Sequence, residues 1–346
     1  MPPPSHLIVI GTSAGGMPAL VQLVAQLPAS LPAAVLVVQH FSPDADGQHL
    51  VNRLARHTEL RCRLASSSQP IEAGTVYLAP PDRHLLVKDR QAPYVLVTKG
   101  PRENNYRPAI DALFRSAAVT YGPAVAGVVL TGMLHDGTAG LEFIKRCGGR
   151  AVVQDPRDAE FASMPETALR NVAVDYAVPL SQMGTVLEEI IQGAAPDPAP
   201  SIPEDLKHEA AIAERVVGTT DDVAKLGHLV PLTCPDCGGN LWEMEHGQVL
   251  RYRCHTGHAF TGDVLLRESQ HSLEETLWVA LRMMEERRNL LSTISTREPS
   301  PYAGQQTERL EELKKHVNRL REFLLNGSVT NANANADSAQ QDDDYD

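Results

Sequence analysis

Short apolar runs alternate with amphipathic stretches along the first half of the chain. The amphipathic stretches have apolar residues at helical spacing and lie at residues 18–27, 47–57, 110–120 and 138–147. The apolar runs lie at residues 6–11, 34–39, 75–79, 94–98, 125–131, 151–154 and 172–178. Because strands that are apolar on both faces are typical of a mainly parallel sheet with helices on both faces, we predict a doubly wound α/β domain over residues 1–194. A polar turn between the runs at 75–79 and 94–98 predicts an added hairpin.

The second half of the chain has a different composition. Prolines at positions 196, 198, 200 and 203 predict a linker, which together with a short helix occupies residues 195–226. Residues 227–264 are rich in glycine and cysteine and predict a small zinc-ribbon-like module. Helical periodicity predicts C-terminal helices within 265–325, packed on each other or on that module, with a dimer or partner surface as the alternative. Asn-Ala repeats and an acidic end predict a disordered tail over 326–346.

Charge and hydropathy exclude some classes of protein. The formal net charge of the 346 residues is −12, whereas a nucleic-acid-binding surface is basic, so we expect no nucleic-acid partner. No apolar run approaches the ~18 residues of a membrane-spanning helix. The N-terminus lacks the basic region of a signal peptide. These features predict a cytoplasmic protein with reduced thiols and no direct membrane insertion.

Three predicted strands each end in a residue that can take part in acyl transfer. The first is followed by Ser13, the second by His40, and the run at 125–131 by Asp136. In a parallel sheet the three side chains emerge at one edge, which is where open α/β sheets carry their sites. A serine nucleophile, a histidine base and an orienting acid form a catalytic triad, so we predict a serine hydrolase.

Glycines next to Ser13 add a candidate oxyanion site. Gly15 and Gly16 stand between strand and helix, where backbone N–H groups face outward, and they leave room for a substrate carbonyl and its oxyanion. Each residue also has a purely structural interpretation: Ser13 as a helix cap or part of a phosphate cradle, His40 as a loop histidine, and Asp136 as a turn residue. The coincidence of three strand ends favours catalysis.

Five dispersed motifs resemble the catalytic domain of the CheB family, the chemotaxis receptor protein-glutamate methylesterases. In chain order they are Ile10-Gly-Thr-Ser-Ala-Gly-Gly16, Val38-Gln-His40, Arg107-Pro-Ala-Ile-Asp-Ala-Leu-Phe114, Leu130-Thr-Gly-Met-Leu-His-Asp-Gly137 and Met164-Pro165. The resemblance implies Ser13 as nucleophile, His40 as base, Asp136 as orienting acid and a backbone contribution of Met133 to the oxyanion site. It also implies demethylation of glutamate methyl esters, and deamidation of glutamine, on a chemoreceptor or related signalling protein, with no cofactor for catalysis.

Two departures from the family pattern affect the expected regulation and substrate. Ala14 follows the serine where chemotaxis enzymes often have threonine, and the first strand begins at His6, so we expect no receiver domain ahead of it. Arg102 and Arg107 flank the matching motifs and either guide an acidic receptor helix or are plain surface charges.

The alternative to an active esterase is a non-catalytic signalling scaffold in which the C-terminal zinc module and helices bind a partner.

Three of the five cysteines cluster in the second half of the chain. Cys234-Pro-Asp-Cys237 can hold one ion, and Cys254-His-Thr-Gly-His258 adds two ligands, so we predict a structural Zn²⁺ site of Cys234, Cys237, Cys254 and His258. His255 and His246 are weaker candidates for the fourth ligand, and a metal-free cysteine core is the alternative. The stretch also resembles zinc-ribbon-like extensions behind some CheB-type domains, which implies a role in binding or regulation. Cys62 and Cys147 stand alone and are interpreted as core residues.

Overall fold

The computed structural model describes residues 3–133, 135–193, 201–215, 219–297 and 303–327, and the chain forms two compact units, Met1–Leu265 and Leu266–Asp346. The first unit begins with β1 (His6–Thr12), α1 (Gly16–Val24), β2 (Ala33–Gln39), α2 (Gly47–Ala55), β3 (Arg61–Leu64), β4 (Gln69–Pro70), β5 (Thr75–Leu78), β6 (His84–Lys88), β7 (Tyr94–Thr98), α3 (Ile110–Tyr121), β8 (Val125–Val129), α4 (Thr138–Arg146), β9 (Arg150–Gln154), α5 (Ser163–Asn171), β10 (Tyr176–Val178) and α6 (Leu180–Gln192). It continues with α7 (Glu204–Arg215), α8 (Thr220–Ala224), β11 (Gly227–Thr233), β12 (Asn240–Met244), β13 (Arg251–Cys254) and β14 (Ala259–Thr261). Two long helices follow, α9 (Gly262–Arg297) and α10 (Ala303–Gly327).

A seven-stranded sheet forms the centre of the first unit, with the strand order β10-β9-β8-β1-β2-β5-β3. All of its strand pairs are parallel. Side chains of β1 alternate between two cores, with Leu7 and Val9 in one and Ile8 and Ile10 in the other. Both faces of β1 are therefore covered by helices, and each such side chain contributes about 1.5–3 kcal/mol by its burial. The predicted doubly wound α/β fold is confirmed.

The predicted hairpin pairs different strands from those expected. Strand β5, which covers the run at 75–79, lies in the main sheet between β2 and β3 and is buried at every position. The antiparallel hairpin consists instead of β6 and β7, with β4 alongside. Its turn is at Asp89, whose Oδ1 accepts hydrogen bonds from the N–H groups of Gln91 and Ala92. The prediction was wrong because the residues of β6 were taken as part of a polar turn, although four of the five are buried.

The antiparallel strands β11 to β14 form a small sheet, here called the Cys-rich module. Its core contains Leu241, Phe260 and Val264 beside the thiols of Cys234 and Cys254. Helix α7 precedes it, at the position of the short helix predicted after the prolines.

The predicted boundary at residue 194 falls within the first unit. Leu206 of α7 is fully buried in the same core as β1, so this helix packs on the α/β domain and does not act as a spacer. Residues 194–200 of the predicted linker lie outside the described residues.

Helices α9 and α10 pack against each other through apolar side chains, as one of the two predicted arrangements requires. The contacting residues are Leu277, Leu281, Met284, Val317, Leu320 and Leu324. Glu285 and Arg321 form an ion pair beside them. Leu273, Met283 and Leu290 on α9 are exposed, so the dimer or partner surface stays a prediction.

The predicted acidic tail lies outside the described residues except for positions 326 and 327. No described helix is long and apolar enough to cross a membrane.

Candidate active site

Sheet topology brings the three predicted catalytic residues to one edge of the sheet. Thr12 of β1 pairs with Gln39 of β2, so Ser13 and His40 directly follow paired residues on strands about 4.8 Å apart. The loop after β8, on the other side of β1, carries Asp136. The hydrogen bonding between β1 and β8 continues into the loops that follow these two strands, because the Ser13 N–H donates to the Thr131 carbonyl at 3.2 Å. Parallel pairing thus places Ser13 and His40 at the same edge of the sheet, and the loop after β8 brings Asp136 to His40 at that edge.

The imidazole of His40 has one engaged nitrogen and one without a partner. Its Nε2 lies 2.9 Å from Asp136 Oδ2, and both side chains are almost completely buried. Its Nδ1 is buried and has no hydrogen-bond partner among the described residues. A neutral imidazole that donates from Nε2 to a carboxylate has its lone pair on Nδ1. Nδ1 is therefore the nitrogen available to accept a proton.

Asp136 is held by donors on both carboxylate oxygens. Besides His40, its Oδ2 accepts the Ile110 N–H at 2.6 Å, while Oδ1 accepts the Asp111 N–H and Asn104 Nδ2, each at 3.2 Å. Ile110 and Asp111 begin α3, and the N-terminus of a helix favours a negative charge. These bonds fix the rotation of the carboxylate and its position beside His40.

The turn after β1 is shaped by Gln39 and two glycines. Gln39 Nε2 donates to the carbonyls of Ser13 and His40, at 2.8 Å each, and so ties the two loops together. Gly15 has a φ of +68° and faces the carboxylate of Glu160. The Gly16 N–H donates to the Ser13 carbonyl at 2.9 Å, and a Cβ at Gly16 would overlap the side chain of Gln39. Gly16 is thus required for the packing of the turn.

Several residues beside the triad positions were missed by sequence reasoning. Tyr106 stacks on the His40 ring with centroids 3.7 Å apart, and Asn104 reaches Asp136 as described above. Asp111 Oδ1 accepts the N–H groups of Gly137 and Gly140 at 3.0 and 2.6 Å, which anchors the loop that carries Asp136. Burial and the Asp136 carboxylate raise the pKa of Asp111 well above its usual value.

A signal for these residues was present only in part. The motif that contains Asp111 was recognised as a family match, but nothing in the local pattern indicated which of its side chains turns toward Asp136. Asn104 and Tyr106 follow no strand and lie in no periodic stretch.

The two arginines beside the motifs differ in their surroundings. Arg107 binds Asp82 through two nitrogens at 2.8 and 2.6 Å and donates to the Gly100 carbonyl, so its charge is already paired. Arg102 is exposed. Guidance of an acidic partner therefore stays a prediction for Arg102.

The four predicted metal ligands lie together in the Cys-rich module. The candidate ligand atoms of Cys234, Cys237, Cys254 and His258 are all within 4.8 Å of one another. Cys237 Sγ is 3.8 Å from Cys254 Sγ, and His258 Nδ1 is 3.7 Å from Cys234 Sγ and 3.5 Å from Cys254 Sγ. In a tetrahedral zinc site, sulfurs are about 3.8 Å apart and a sulfur and a nitrogen about 3.6 Å apart. The donor set and its spacing fit a zinc ion.

The other two cysteines belong to the α/β cores. Cys147 is buried and Cys62 is half-buried, and burial raises the pKa of each thiol to about 11. Both are protonated at neutral pH, which agrees with their interpretation as core residues.

The family model for the CheB methylesterase matches residues 8–187, which is just over half of the chain. The chain therefore belongs to the CheB methylesterase family. A crystal structure of the Thermotoga maritima CheB methylesterase catalytic domain superposes with a TM-score of 0.51 and 32% identity, covering 54% of this chain and 97% of that one.

Curated relatives match over the same region. The protein-glutamate methylesterase/protein-glutamine glutaminase 2 of Methanosarcina mazei is 37% identical over 192 residues, which are 54% of this chain and 52% of that protein. A putative protein-glutamate methylesterase/protein-glutamine glutaminase of Leptospira interrogans is 38% identical over 186 residues, 54% of this chain and 94% of that protein. The protein-glutamate methylesterase FrzG of Myxococcus xanthus is 37% identical over 186 residues, 54% of this chain and 55% of that protein. The matched region thus spans about half the length of two of these relatives.

Proposed function

We propose that the chain is a serine hydrolase that removes methyl groups from glutamate methyl esters on a signalling protein. The observation that supports this most is the state of His40, whose Nε2 faces Asp136 while the buried Nδ1 has no partner among the described residues. A histidine fixed in this tautomer has a ring nitrogen free to accept a proton, and Ser13 follows the strand paired with the one that precedes His40, so His40 can act as its general base. The names of the related enzymes support the choice of ester.

In the first half of the proposed reaction, Ser13 Oγ attacks the carbonyl carbon of the ester while its proton passes to His40 Nδ1. The bond between that carbon and the methoxy oxygen then breaks, and methanol leaves with the proton from His40. The product is an ester between Ser13 and the glutamate side chain. Asp136 orients the imidazole and stabilises its protonated form.

In the second half, water attacks the acyl-enzyme while His40 takes its proton. The bond to Ser13 Oγ breaks, the proton returns to Ser13, and a glutamate carboxyl group is released. A glutamine side chain would follow the same steps with ammonia in place of methanol. We propose backbone N–H groups near Gly15 and Met133 as donors to the tetrahedral oxyanion, with Gly16 holding the turn.

We further propose a chemoreceptor or a related signalling protein as the substrate. Membership of the CheB methylesterase family and the protein-glutamate methylesterase names of the related proteins support a protein substrate. Cys234, Cys237, Cys254 and His258 would hold a structural Zn²⁺, which supplies no chemistry to the ester and stabilises the fold of the module.

The test is methanol release from a methylated receptor preparation, comparing the intact chain with Ser13→Ala. Release by the intact chain that disappears in the variant supports the esterase. Labelling by a fluorophosphonate provides a check that does not depend on the substrate, because it requires an activated serine. If the intact chain neither releases methanol nor is labelled at Ser13, the proposal is wrong.

A further inference from the structure

The segment at residues 101–106 pairs with the edge strand of the Cys-rich module. Glu103 forms a parallel bridge with Ala259, and the Asn104 backbone N–H donates to the Ala259 carbonyl at 2.8 Å. The side-chain Oδ1 of Asn104 accepts the Thr261 N–H at 2.9 Å. Strand β14 therefore holds both the backbone and the side chain of Asn104.

The other end of the Asn104 amide faces the candidate active site. Its Nδ2 donates to Asp111 Oδ2 at 2.8 Å and to Asp136 Oδ1 at 3.2 Å. Asn104 is 4% exposed, so water does not compete for these bonds. The orientation of the amide follows from chemistry, because a rotated amide would place its oxygen against two carboxyl groups and its NH₂ against the Thr261 N–H.

The hydrogen bond between Asn104 and Asp136 reduces electrostatic repulsion between two carboxyl groups. Asp111 and Asp136 are buried neighbours, and a donor between them reduces their repulsion. Without that donor, Asp136 could rotate or share a proton with Asp111. Either change would weaken the contact between Asp136 Oδ2 and the His40 imidazole.

A buried ionic cluster ties the same segment to the module and to α7. Arg115 Nη2 lies 2.5 Å from Glu103 Oε1, and Arg253 Nη2 lies 3.4 Å from that atom. Glu209 of α7 lies 2.8 Å from Arg251 Nη1 and 3.2 Å from Arg253 Nη2. Because all five side chains are buried, movement of the segment would separate charges in a region of low dielectric constant.

We propose that Asn104 is a positioning residue through which the Cys-rich module completes the active site. The module holds Asn104 by β14, and Asn104 holds the Asp136 carboxylate against His40. The inference rests on the proposed esterase function and assigns the module a direct part in that reaction. A protein of this architecture would lose catalytic efficiency when β14 separates from the segment at 101–106.

Two variants of the full-length chain test the role of the side chain. Asn104 has a φ of +51°, which glycine and aspartate tolerate, so Asn104→Gly and Asn104→Asp avoid backbone strain. The glycine variant loses all three side-chain bonds, whereas the aspartate variant keeps an acceptor for Thr261 and loses the donor to Asp136. Asn105→Gly is the matched control, because the neighbouring asparagine has the same left-handed backbone, with a φ of +71°.

We expect kcat for methanol release to fall about 10- to 100-fold in both Asn104 variants, with KM within about twofold of the wild type. The acid limb of the pH profile of kcat/KM should move to lower pH in Asn104→Gly, because a loosened Asp136 stabilises the imidazolium less. Asn105→Gly should retain the wild-type kcat and profile. Wild-type kcat and pH profile in Asn104→Gly would overturn the inference.

The contribution of the module is tested at Thr261. Its Oγ1 is buried without a hydrogen-bond partner among the described residues, so Thr261→Val should preserve activity. Thr261→Pro removes the backbone N–H that donates a hydrogen bond to Asn104 Oδ1. This variant should lower kcat about as much as Asn104→Gly does. If the proline variant is folded by circular dichroism and fully active, the module does not act through Asn104. If the proline variant is unfolded, the activities of Asn104→Gly and Asn104→Asp decide whether the inference holds.

Failure of this inference differs from failure of the proposed function. An esterase without this coupling would show wild-type methanol release, labelling of Ser13, and Asn104 variants as active as the wild type. A chain that shows neither methanol release nor labelling of Ser13 would refute both proposals.

Discussion

Tyr106 lies flat against the imidazole of His40, with ring centroids 3.7 Å apart and ring planes 6° from parallel. The contact fixes the plane of the imidazole while Asp136 fixes its rotation within that plane. An aromatic face also stabilises a positive charge, and His40 becomes positive when it takes the proton of the nucleophile in the proposed reaction. Tyr106 thus supports His40 at the step where the base is charged.

Replacement of Tyr106 should therefore lower the rate and leave the fold intact. We expect Tyr106→Leu to lower kcat about 3- to 10-fold, since an aromatic stack contributes about 0.5–1.5 kcal/mol. Tyr106→Phe keeps the stacked ring and should remain within about twofold of the wild type. Steady-state methanol release measures both, and equal rates for the leucine and phenylalanine variants would remove stacking as the explanation.

Asp136→Asn should abolish most of the activity through the tautomer of His40. Both oxygens of Asp136 accept hydrogen bonds, so an amide NH₂ placed on either side meets a donor. Where the NH₂ faces Nε2, the imidazole proton moves to Nδ1 and the base is lost. The corresponding change in the serine-protease triad lowers kcat about 10⁴-fold, and we expect a loss of similar size. Fluorophosphonate labelling at wild-type speed in a folded Asp136→Asn would contradict this role.

Glu209 should make the stability of the first unit depend on pH in the acidic range. Burial alone would raise its pKa, but the guanidinium groups of Arg251, Arg115 and Arg253 lower it to about 2. A carboxyl group whose folded-state pKa is depressed contributes stability above its ordinary pKa of 4.5, and this contribution is lost as the pH falls toward 2.

We therefore expect Glu209→Gln to reduce the free energy of unfolding by about 3–5 kcal/mol at pH 7, because it leaves buried arginines unpaired. The difference from the wild type should narrow as the pH falls below 4.5. Urea titrations at several pH values measure this, with the exposed Glu204 on the same helix as the control in Glu204→Gln. A pH-independent difference would mean that the charge of Glu209 does not contribute.

His84 should add a second pH dependence at higher pH. Its Nδ1 accepts the Ala109 N–H at 3.2 Å, so Nε2 donates to the Pro101 carbonyl at 2.8 Å and the ring is neutral. Burial lowers the pKa of His84 below 6.5, so the stability from these bonds is complete above that pH and is lost as the pH falls below it. The free energy of unfolding between pH 8 and 5 should fall less steeply in His84→Gln, whereas the exposed His49→Gln should follow the wild type. Parallel curves of unfolding free energy against pH for all three proteins would show that His84 does not cause this pH dependence.

Metal removal should unfold the Cys-rich module. We expect about one zinc ion per chain by elemental analysis, and strong loss of zinc in Cys237→Ser. Cys62→Ser removes a thiol outside the cluster and should retain the zinc. Hydrogen exchange in β11 to β14 should increase when the zinc is chelated. Unchanged exchange after complete removal of the metal would favour the metal-free cysteine core.

Much of the α/β domain could be predicted because its signals are local. The runs that became β1, β2 and β8 are apolar on both faces, and the residues after them followed from parallel pairing without knowledge of distant contacts. The run that became β5 was assigned the wrong partner, because an apolar strand does not specify which strand it pairs with. Register and partner choice depend on the whole sheet.

The sequence by itself determined β1, β2 and β8, the sheet edge at which Ser13, His40 and Asp136 follow them, and the four candidate metal ligands from Cys234 to His258, which lie together in the structure. Only the tertiary structure decided that Asn104 links Asp136 to β14. The Asn104 side chain and the Thr261 N–H are 157 residues apart in the chain. Such a contact leaves no periodicity in the sequence, because it is set by the packing of the module and α7 on the domain and not by the residues around Asn104.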